Sequence, residues 1–554
     1  MTPVVKRAPA AILWPRLLAA LLAAAGLRFG LLAAGVVPFN ADEAVVGLMA
    51  RHILQGERPI FFYGQAYLGS LDAWLVAGSF VLFGQNLLAI RLVQLALFLA
   101  TIATTYLLGL RIYRSQWVAG AAALLLAIPP VLFTLYSNIS LGGYGEVLLL
   151  GNLCLLLALW LLDGEQPAGS REWTLARGAG WLALGGLGGL GFWTFPLILV
   201  YLVPILALAG ARYRRRVPEL LVYWIVFAVG FVAGALPWLG YTLAHGGSTL
   251  QETGGGVIAG ASSSNLVFAV GQHLFNFLLF GVTAVWGLRP PWNAVFLALP
   301  LAPFAIAINA GVILFAARRA ALKRDPAALG RWLLAGTALT LVAAFVFTPF
   351  GADPSGRYFL PLAVPLALFT AEMLHWLRLR RRERRSPWRK WFGQTLALGL
   401  VAFNWWGNAQ SAAAFPPGLT TQFDAVTQID QRALPELMAF LRAHGETRGY
   451  TNYWVEYPLA FGSRDELIFT ARLPYHADLR YSARDDRYAP YDARVAASPR
   501  AAYVTAHLPE LDTRLRAEFA RLDVTYQEAR FGDFHVFYAM SRKVTPAELG
   551  WGGS

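Results

Sequence analysis

Charge and cysteine are both scarce in this sequence. Only 14% of its 554 residues are charged, whereas 57% are hydrophobic, and soluble domains carry about one quarter charged residues. The composition therefore excludes an ordinary soluble protein and predicts one that spans a membrane. The single cysteine, Cys154, cannot form an intrachain disulfide, and it excludes a metal site built on several thiolates.

Acidic residues are fewer than basic ones, 32 against 46, which gives a formal net charge of +14. The basic residues before residue 415 lie in short clusters between apolar runs, such as RYRRR and RLRRRERRSPWRK. This distribution is typical of loops that remain on the cytoplasmic side of a membrane. The charge therefore indicates membrane topology, and we expect no nucleic-acid partner.

Apolar runs long enough to cross a bilayer recur along the first 415 residues. They predict a mainly α fold, a polytopic transmembrane helical bundle in the cell (plasma) membrane, with its N-terminus cytoplasmic. The glycine-rich run LGGLGGLGF predicts close packing between two of the helices. About eleven spans are predicted: 11–36, 88–110, 117–136, 146–162, two within 178–211, 219–241, 293–316, 331–349, 358–377 and 391–408.

The chain divides into two predicted domains. Residues 1–415 form the transmembrane domain, and residues 416–554, which are charged and rich in turns, form a small extracytoplasmic α/β domain. In the second domain, helix patterns cover 432–444 and 509–521, and strand patterns cover 448–453, 466–471, 501–506 and 524–540, the last a hairpin turning near Gly532. The predicted external loops of the first domain are 37–87, 137–146, 242–292 and 350–357.

Ionisable residues gather at the predicted outer ends of different spans. Ionisable groups near hydrocarbon are costly, so they tend to be paired or functional. An adjacent acidic pair at a helix start can also be a simple cap that suits the helix dipole. Both interpretations remain open on the residues alone for the members of this group, which are Asp42, Glu43, Asp72, Glu146, Asp353 and Arg357.

Two segments carry a resemblance to a known family. The segment FNADEAVVGLMARHILQGE, with YGQAYLGSL and LFGQNLLAIRL after it, resembles the first external loop of membrane glycosyltransferases of the C superfamily. The segment GRYFLPLAVPLAL is similar to another motif of family 39, which includes protein mannosyltransferases and aminoarabinose transferases. The better-known members have His-Pro-Pro-Leu where this chain has YLGSL at 67–71, a difference that bears on the acceptor more than on the reaction.

The resemblance implies an inverting transfer of a sugar from a polyprenyl-phosphate-linked donor to an acceptor hydroxyl on the extracytoplasmic face. It implies that Asp42 is the general base and that Glu43 assists it. The acceptor is left open between glycan, lipid and protein. The expected substrate-binding residues are Glu146, Arg357, Tyr358, Tyr67 and Asp72.

Oxygen ligands from Asp42, Glu43 and Glu146 could hold Mg²⁺ or Mn²⁺. The relatives mostly work without a metal, so we expect no firm cofactor beyond the lipid-phosphate donor substrate.

Three other functions compete with this interpretation. A membrane transporter would bury ionisable residues near mid-membrane, often within repeats, but Arg28 is the clearest such residue and no repeat is visible. A polysaccharide polymerase or ligase would use a large external loop, and the 242–292 loop holds His245, His273 and Arg289. A sensor or scaffold would not need about eleven spans.

Overall fold

The computed structural model describes residues 13–162, 171–254, 265–322, 325–382 and 391–551. Residues 255–264 of the predicted external loop 242–292, and residues 383–390 of the basic cluster RLRRRERRSPWRK, lie outside these residues. Within the described ranges, nine helices are long and apolar enough to cross a membrane, which confirms a polytopic helical bundle, while the count of eleven spans stays a prediction. The nine are Trp14–Ala33, Leu87–Tyr113, Tyr144–Leu162, Pro196–Tyr213, Val217–Gly234, Leu266–Val285, Leu299–Ala320, Ala328–Phe347 and Arg357–Leu379.

Eighteen α-helices precede the C-terminal domain in the described residues. They are α1 Trp14–Ala33, α2 Ala41–Leu54, α3 Leu71–Phe83, α4 Leu87–Tyr113, α5 Gln116–Ala127, α6 Val131–Tyr136, α7 Tyr144–Leu162, α8 Arg171–Thr194, α9 Leu199–Tyr213, α10 Val217–Gly234, α11 Leu236–Ala244, α12 Ser248–Thr253, α13 Leu266–Phe275, α14 Val282–Val285, α15 Ala302–Ala320, α16 Ala328–Phe347, α17 Ala363–Arg382 and α18 Phe392–Ala413.

The glycine-rich run on α8 packs closely against α10, as its sequence predicts. A Cβ on Gly185 or Gly189 would lie 2.0 Å from a backbone oxygen of α10, and Gly230 approaches α8 in the same way at 2.2 Å. Only helices without side chains at these positions reach this separation, which maximises van der Waals contact in a setting where the hydrophobic effect gives little drive for helix association.

The predicted span 117–136 is not one continuous helix. It divides at Pro129 and Pro130, which separate α5 from α6. Proline has no backbone N–H to donate and its ring clashes with the preceding turn, so the helix must break there. The break turns the following chain, including residues 136–144, toward the candidate site.

The segment predicted as an external loop, 242–292, differs most from its structure. Residues Leu266–Val285 form a helix of 20 residues with one π-helical turn, and it is apolar enough to cross a membrane. Two polar side chains within this helix, His273 and Asn276, form hydrogen bonds inside the protein. His273 Nδ1 lies 2.9 Å from the carbonyl of Val346, and Asn276 donates to the carbonyl of Gly351 at 2.9 Å.

The segment between α1 and α4 carries the acidic pair. Asn40 caps α2, its side chain accepting from the backbone N–H of Glu43 at 2.9 Å. The chain then forms a two-stranded antiparallel ribbon, β1 Phe61–Phe62 and β2 Gln65–Gly69, and enters α3. At about 1.5 Å per residue, the 13 residues of α3 are too few to cross the hydrocarbon core.

The C-terminal domain is an α/β domain, as predicted. Its five-stranded sheet has the order β4-β3-β5-β7-β6, with β3 parallel to both neighbours and β7 antiparallel to both of its own. The predicted hairpin is β6-β7, and it turns at Gly532. The elements are α19 Leu434–Ala443, β3 Arg448–Thr451, α20 Tyr453–Gly462, β4 Ile468–Ala471, α21 Ala489–Ala496, β5 Ala502–Ala506, α22 Pro509–Arg521, β6 Gln527–Phe531 and β7 Phe534–Tyr538.

Helix α2 joins the two domains. On the side of α2 that contacts the C-terminal domain, Arg51 pairs with Asp465 at 2.8 Å and donates to the carbonyl of Phe461 at 2.9 Å. A Cβ on Gly47 would lie 2.6 Å from the ring of Phe461, so α2 and α20 are in direct contact. The C-terminal domain is therefore held against the helix that carries the acidic pair.

The Asp465 contact predicts a pH dependence. Burial alone raises the pKa of Asp465, but hydrogen bonds from His52, Tyr491 and Arg51 outweigh it and lower the pKa from 3.8 to about 2. Because the folded pKa lies below the unfolded one, this contribution is fully present above about pH 4 and is lost as pH falls toward 2. We expect the unfolding temperature of wild type to fall more steeply over that pH range than the unfolding temperature of Asp465→Asn. The exposed Asp478→Asn is the control, and equal slopes in all three proteins would contradict the assignment.

Candidate active site

A polar cavity of about 140 Å³ lies where the start of α2, the β2 strand, the segment after α6 and the C-terminal domain meet. It brings together several residues that the sequence singled out, among them Asp42, Tyr67 and Arg357. The complete lining is Asp42, Gln65, Tyr67, Leu68, Tyr136, Leu141, Tyr144, Ser355, Arg357, Thr421, Gln422 and Trp454.

Asp42 lies in the wall of this cavity in the first turn of α2. Its side chain is 26% exposed, so a substrate can reach it. The oxygen Oδ1 accepts from the hydroxyl of Tyr453 at 2.5 Å and from the guanidinium of Arg487 at 3.2 Å. Both bonds go to Oδ1, and in the described residues Oδ2 has no hydrogen-bond partner. The carboxylate is thus oriented at one oxygen and available at the other.

Arg487 comes from the C-terminal domain and reaches into the membrane domain. Its guanidinium stacks on the ring of Tyr453, 4.2 Å from the ring centre. When the side-chain nitrogen of Gln65 donates to the hydroxyl of Tyr67, the side-chain oxygen of Gln65 accepts from Arg487 at 3.1 and 3.2 Å. Gly64 makes room for it: φ there is +70°, and a Cβ would lie 2.7 Å from Cγ of Arg487. A side chain at residue 64 would be strained as well as blocked.

Arg357 lies in the same wall, at the start of the helix that ends near residue 379. Its side chain is 36% exposed, and its guanidinium pairs with Asp353 at 2.6 Å. It also lies 5.1 Å from the ring centre of Tyr358. A guanidinium that is anchored by one carboxylate and still accessible can bind a phosphate through its remaining N–H groups.

An apolar cavity of about 200 Å³ adjoins the polar one. Tyr67 lines both cavities, and Tyr358, next to Arg357 in sequence, lines the apolar one. The other walls are the start of α9, the end of α16 and residues from the segments between them. The remaining lining is Phe195, Pro196, Leu197, Leu199, Val200, Thr253, Leu341, Ala344, Phe345, Thr348 and Phe350.

Glu43 lies apart from the polar cavity. It is fully buried and forms a bidentate pair with Arg91 of α4, with both N···O distances 2.9 Å. Arg91 also donates to the carbonyls of Val37 and Pro38 at 3.1 Å. The geometry of Glu43 fits a structural anchor for the start of α2, and its assisting role in catalysis stays a prediction.

Asp72 and Glu146 also lie outside the cavity lining, although both were predicted to bind substrate. Asp72 is buried and accepts from Gln94 at 3.0 Å, Ser140 at 2.5 Å and the backbone N–H of Gly142 at 3.2 Å. Glu146 is buried near it, and neither carboxyl oxygen of Glu146 has a hydrogen-bond partner among the described residues. Asp72 holds the 140–142 turn through its bonds to Ser140 and Gly142.

The carboxylates named as ligands for Mg²⁺ or Mn²⁺ are not brought together. Asp42 faces the cavity, Glu43 pairs with Arg91, and Glu146 is buried outside the cavity lining. In the part of the chain that the structure describes, no group of three or more His, Cys, Asp or Glu side chains is placed to hold a metal ion.

Three site residues in the C-terminal domain were not identified as such from the sequence: Arg487, Tyr453 and Trp454. Tyr453 and Trp454 belong to a folded domain in which aromatic residues are typical of the core, yet Trp454 lines the cavity. Arg487 had no signal, because one arginine in a charged segment, 445 residues from Asp42, has no local pattern that marks it.

Comparison with protein families finds no family model that matches the chain. The chain is similar to the undecaprenyl phosphate-alpha-4-amino-4-deoxy-L-arabinose arabinosyl transferase of Pseudomonas aeruginosa (strain UCBPP-PA14). The two are 33% identical over 170 residues, which is 30% of this chain and 28% of that relative. The chain therefore matches less than a third of the relative's length, and the match confirms the resemblance to aminoarabinose transferases read from the sequence.

Solved structures resemble nearly the whole chain. ArnT from Cupriavidus metallidurans, bound to undecaprenyl phosphate, has a TM-score of 0.57 and 14% identity, covering 95% of this chain and 98% of that one. The oligosaccharyltransferase AglB from Archaeoglobus fulgidus, in complex with an inhibitory peptide and a dolichol-phosphate, has a TM-score of 0.51 and 14% identity, covering 94% and 74%. The chain therefore has an ArnT-like fold, a transmembrane helical bundle with a C-terminal sheet domain.

The Glu43–Arg91 pair predicts a large stability change. Arg91→Met leaves the Glu43 carboxylate buried without its partner, which costs roughly 3–5 kcal/mol in folding free energy. We expect a markedly lower unfolding temperature in detergent, partly restored in the double variant that adds Glu43→Gln. The control is Arg216→Met, because Arg216 is 58% exposed in its pair with Glu219. Equal, small effects of the two single variants would show that the buried pair is not an anchor.

Proposed function

We propose that this chain is an integral membrane glycosyltransferase that moves a sugar from a polyprenyl-phosphate donor to an acceptor hydroxyl on the extracytoplasmic face. The observation that carries the proposal is the junction of two unlike cavities. A polar one holds Asp42 and Arg357, and an apolar one opens beside it past Tyr67. The names of the similar proteins, a transferase that uses undecaprenyl phosphate and one solved with dolichol-phosphate, support the same donor class.

The two cavities fit the two parts of such a donor. A prenyl chain needs an apolar surface continuous with the bilayer, and the apolar cavity is lined by α16 and the start of α9. The phosphate that follows the chain needs a cation, and Arg357 lies next to Tyr358 at the junction. The sugar then lies in the polar cavity, near Asp42.

Asp42 is the general base in this proposal. The acceptor oxygen attacks the anomeric carbon as its proton passes to Oδ2 of Asp42. The bond between the anomeric carbon and the phosphate oxygen breaks, and the polyprenyl phosphate leaves. A single displacement inverts the anomeric configuration. A positioned base contributes roughly 10²–10⁴-fold in rate, and Arg357 stabilises the charge that gathers on the departing phosphate.

Tyr453 and Arg487 are positioning residues in the same proposal. Their bonds to Oδ1 hold the carboxylate so that Oδ2 faces the acceptor. Glu43 serves the same end from the other side, because its pair with Arg91 fixes the first turn of α2. The extracytoplasmic location of the C-terminal domain, and a cytoplasmic N-terminus, belong to the proposal as well.

The competing functions gain no support from the residues that suggested them. Arg289 donates to the carbonyls of Phe280 and Pro290 at 2.7 and 2.8 Å, and His245 stacks on Tyr241. With His273 bonded to Val346, these three side chains have structural contacts rather than a shared polymerase site. Arg28, the mid-membrane charge, donates to Ser137 at 2.6 Å and stacks on Phe98.

Asp42→Asn tests the base. The amide keeps the size of the side chain but cannot take the proton, so we expect transfer from a polyprenyl-phosphate sugar to fall by about 10²-fold or more. Binding of undecaprenyl phosphate should change little. Asp478→Asn, an exposed carboxylate that does not line the cavity, is the matched control. Wild-type turnover in Asp42→Asn, with purified protein, would remove Asp42 from the mechanism.

Arg357→Ala tests the phosphate contact. Hydrogen bonds to charged groups contribute about 1.5–3 kcal/mol each, so we expect undecaprenyl phosphate to bind roughly 10- to 100-fold more weakly. Arg357→Lys should retain part of the affinity because it keeps the charge and loses the planar fork. Direct binding in detergent measures both variants, with Arg216→Ala as the exposed control. Unchanged affinity in Arg357→Ala would refute the contact.

A further inference from the structure

A second cleft opens beside the polar cavity and belongs to none of the roles above. It lies between the chain entering α2 and the segment at 417–431 that leads into the C-terminal domain, and it shares Gln422 and Trp454 with the polar cavity. We refer to it as the amide cleft, because Asn40, Gln422, Gln428 and Gln431 all line it. Its enclosed volume is about 20 Å³, so it takes one edge of a ligand instead of surrounding it.

The segment at 417–431 is tightly fixed against the start of α2. The backbone N–H of Leu419 donates to the carbonyl of Val36 at 2.9 Å, and Asn40 donates to the hydroxyl of Thr421 at 3.2 Å. Because Asn40 also caps α2, the cleft and Asp42 are held by the same residue. The cleft is therefore preorganised relative to the base.

Two buried polar atoms of the cleft residues lack hydrogen-bond partners in the described structure. They are the Oε1 acceptor of Gln431 and the Nε1 donor of Trp454. Buried polar groups are nearly always paired, and an unpaired one costs about 1–3 kcal/mol. A ligand hydroxyl suits either atom, because a hydroxyl both donates and accepts.

The absence of charged residues in the cleft lining further restricts the class of ligand that can bind there. Among the described residues that line it, all are uncharged. Arg432 follows Gln431 in sequence, but its guanidinium is held by Asp430 at 2.5 Å and stacks on Phe415. A phosphorylated ligand would find no available cation here, whereas a sugar ring presents hydroxyls to the amides and an apolar face to Trp454 and Phe39.

We infer that the amide cleft is an acceptor subsite for a neutral, polyhydroxylated glycan. The inference rests on the proposed function and names its acceptor class. Since the cleft and the polar cavity share Gln422 and Trp454, a glycan could place one hydroxyl at Asp42 and the neighbouring sugar ring in the cleft. The reaction attributed to this acceptor is the displacement described above, with the glycan hydroxyl as nucleophile.

The test measures saturable binding of defined probes to the purified full-length protein by saturation-transfer NMR. The neutral probes are methyl α-D-mannoside, methyl β-D-glucoside, methyl β-D-galactoside and their disaccharides. The charged probes are mannose 6-phosphate and a bisphosphorylated glucosamine disaccharide, and a serine-rich peptide represents a protein acceptor. We expect at least one neutral probe to bind, and Gln431→Leu to weaken it about fivefold, the loss of one hydrogen bond.

Trp454→Phe gives a second variant, which keeps an aromatic ring and removes the N–H donor. It should weaken the same probe by a similar factor. Gln527→Leu, an exposed glutamine on β6, is the control and should bind as wild type does. Preference for the phosphorylated disaccharide or the peptide would overturn the inference, as would neutral binding that is the same in Gln431→Leu and wild type.

Binding of undecaprenyl phosphate, measured in the same samples, separates this inference from the proposed function. If undecaprenyl phosphate binds and no neutral probe does, the acceptor subsite is wrong and the donor site stands. If undecaprenyl phosphate fails to bind and Asp42→Asn leaves turnover unchanged, the proposed function itself falls.

Discussion

The bidentate pair between Glu43 and Arg91 is the interaction on which the site depends. A buried carboxylate is tolerated only with a partner of opposite charge and good geometry, and this one is held to α4 at both oxygens. Successive residues of a helix point about 100° apart. Anchoring Glu43 to the bundle therefore turns Asp42 away from it, into the polar cavity. One of two adjacent acids fixes the helix so that the other can face a substrate.

The C-terminal domain completes this arrangement from the opposite side. It contributes Tyr453 and Arg487 to the carboxylate of Asp42, and Trp454 to the wall of the cavity. Arg51 and Asp465 hold the same domain to α2 about two and a half helical turns after Asp42. The domain is thus part of the site, and the cavity has no complete wall without it.

The sequence predicted the helical bundle, the α/β domain and its hairpin, because apolar runs and alternating patterns depend on neighbouring residues. It also placed Asp42, Tyr67 and Arg357 at one site, and the structure brings these three together. Apart from the family resemblance, the residues themselves could not separate Asp42 from Glu43, since adjacent acids look alike until a partner such as Arg91 is known. It missed the helix at Leu266–Val285, because His273 and Asn276 are satisfied by contacts from residues 346–351 that no local pattern records. Arg487 was beyond reach for the same reason.

The distance along the chain between Asp42 and its partners has a consequence for how the protein is made. Tyr453 follows Asp42 by 411 residues, and Arg51 meets Asp465 across 414. A ribosome therefore delivers the acidic helix about 400 residues before these partners. The nascent bundle holds an aspartate whose carboxylate is not oriented until the C-terminal domain has emerged.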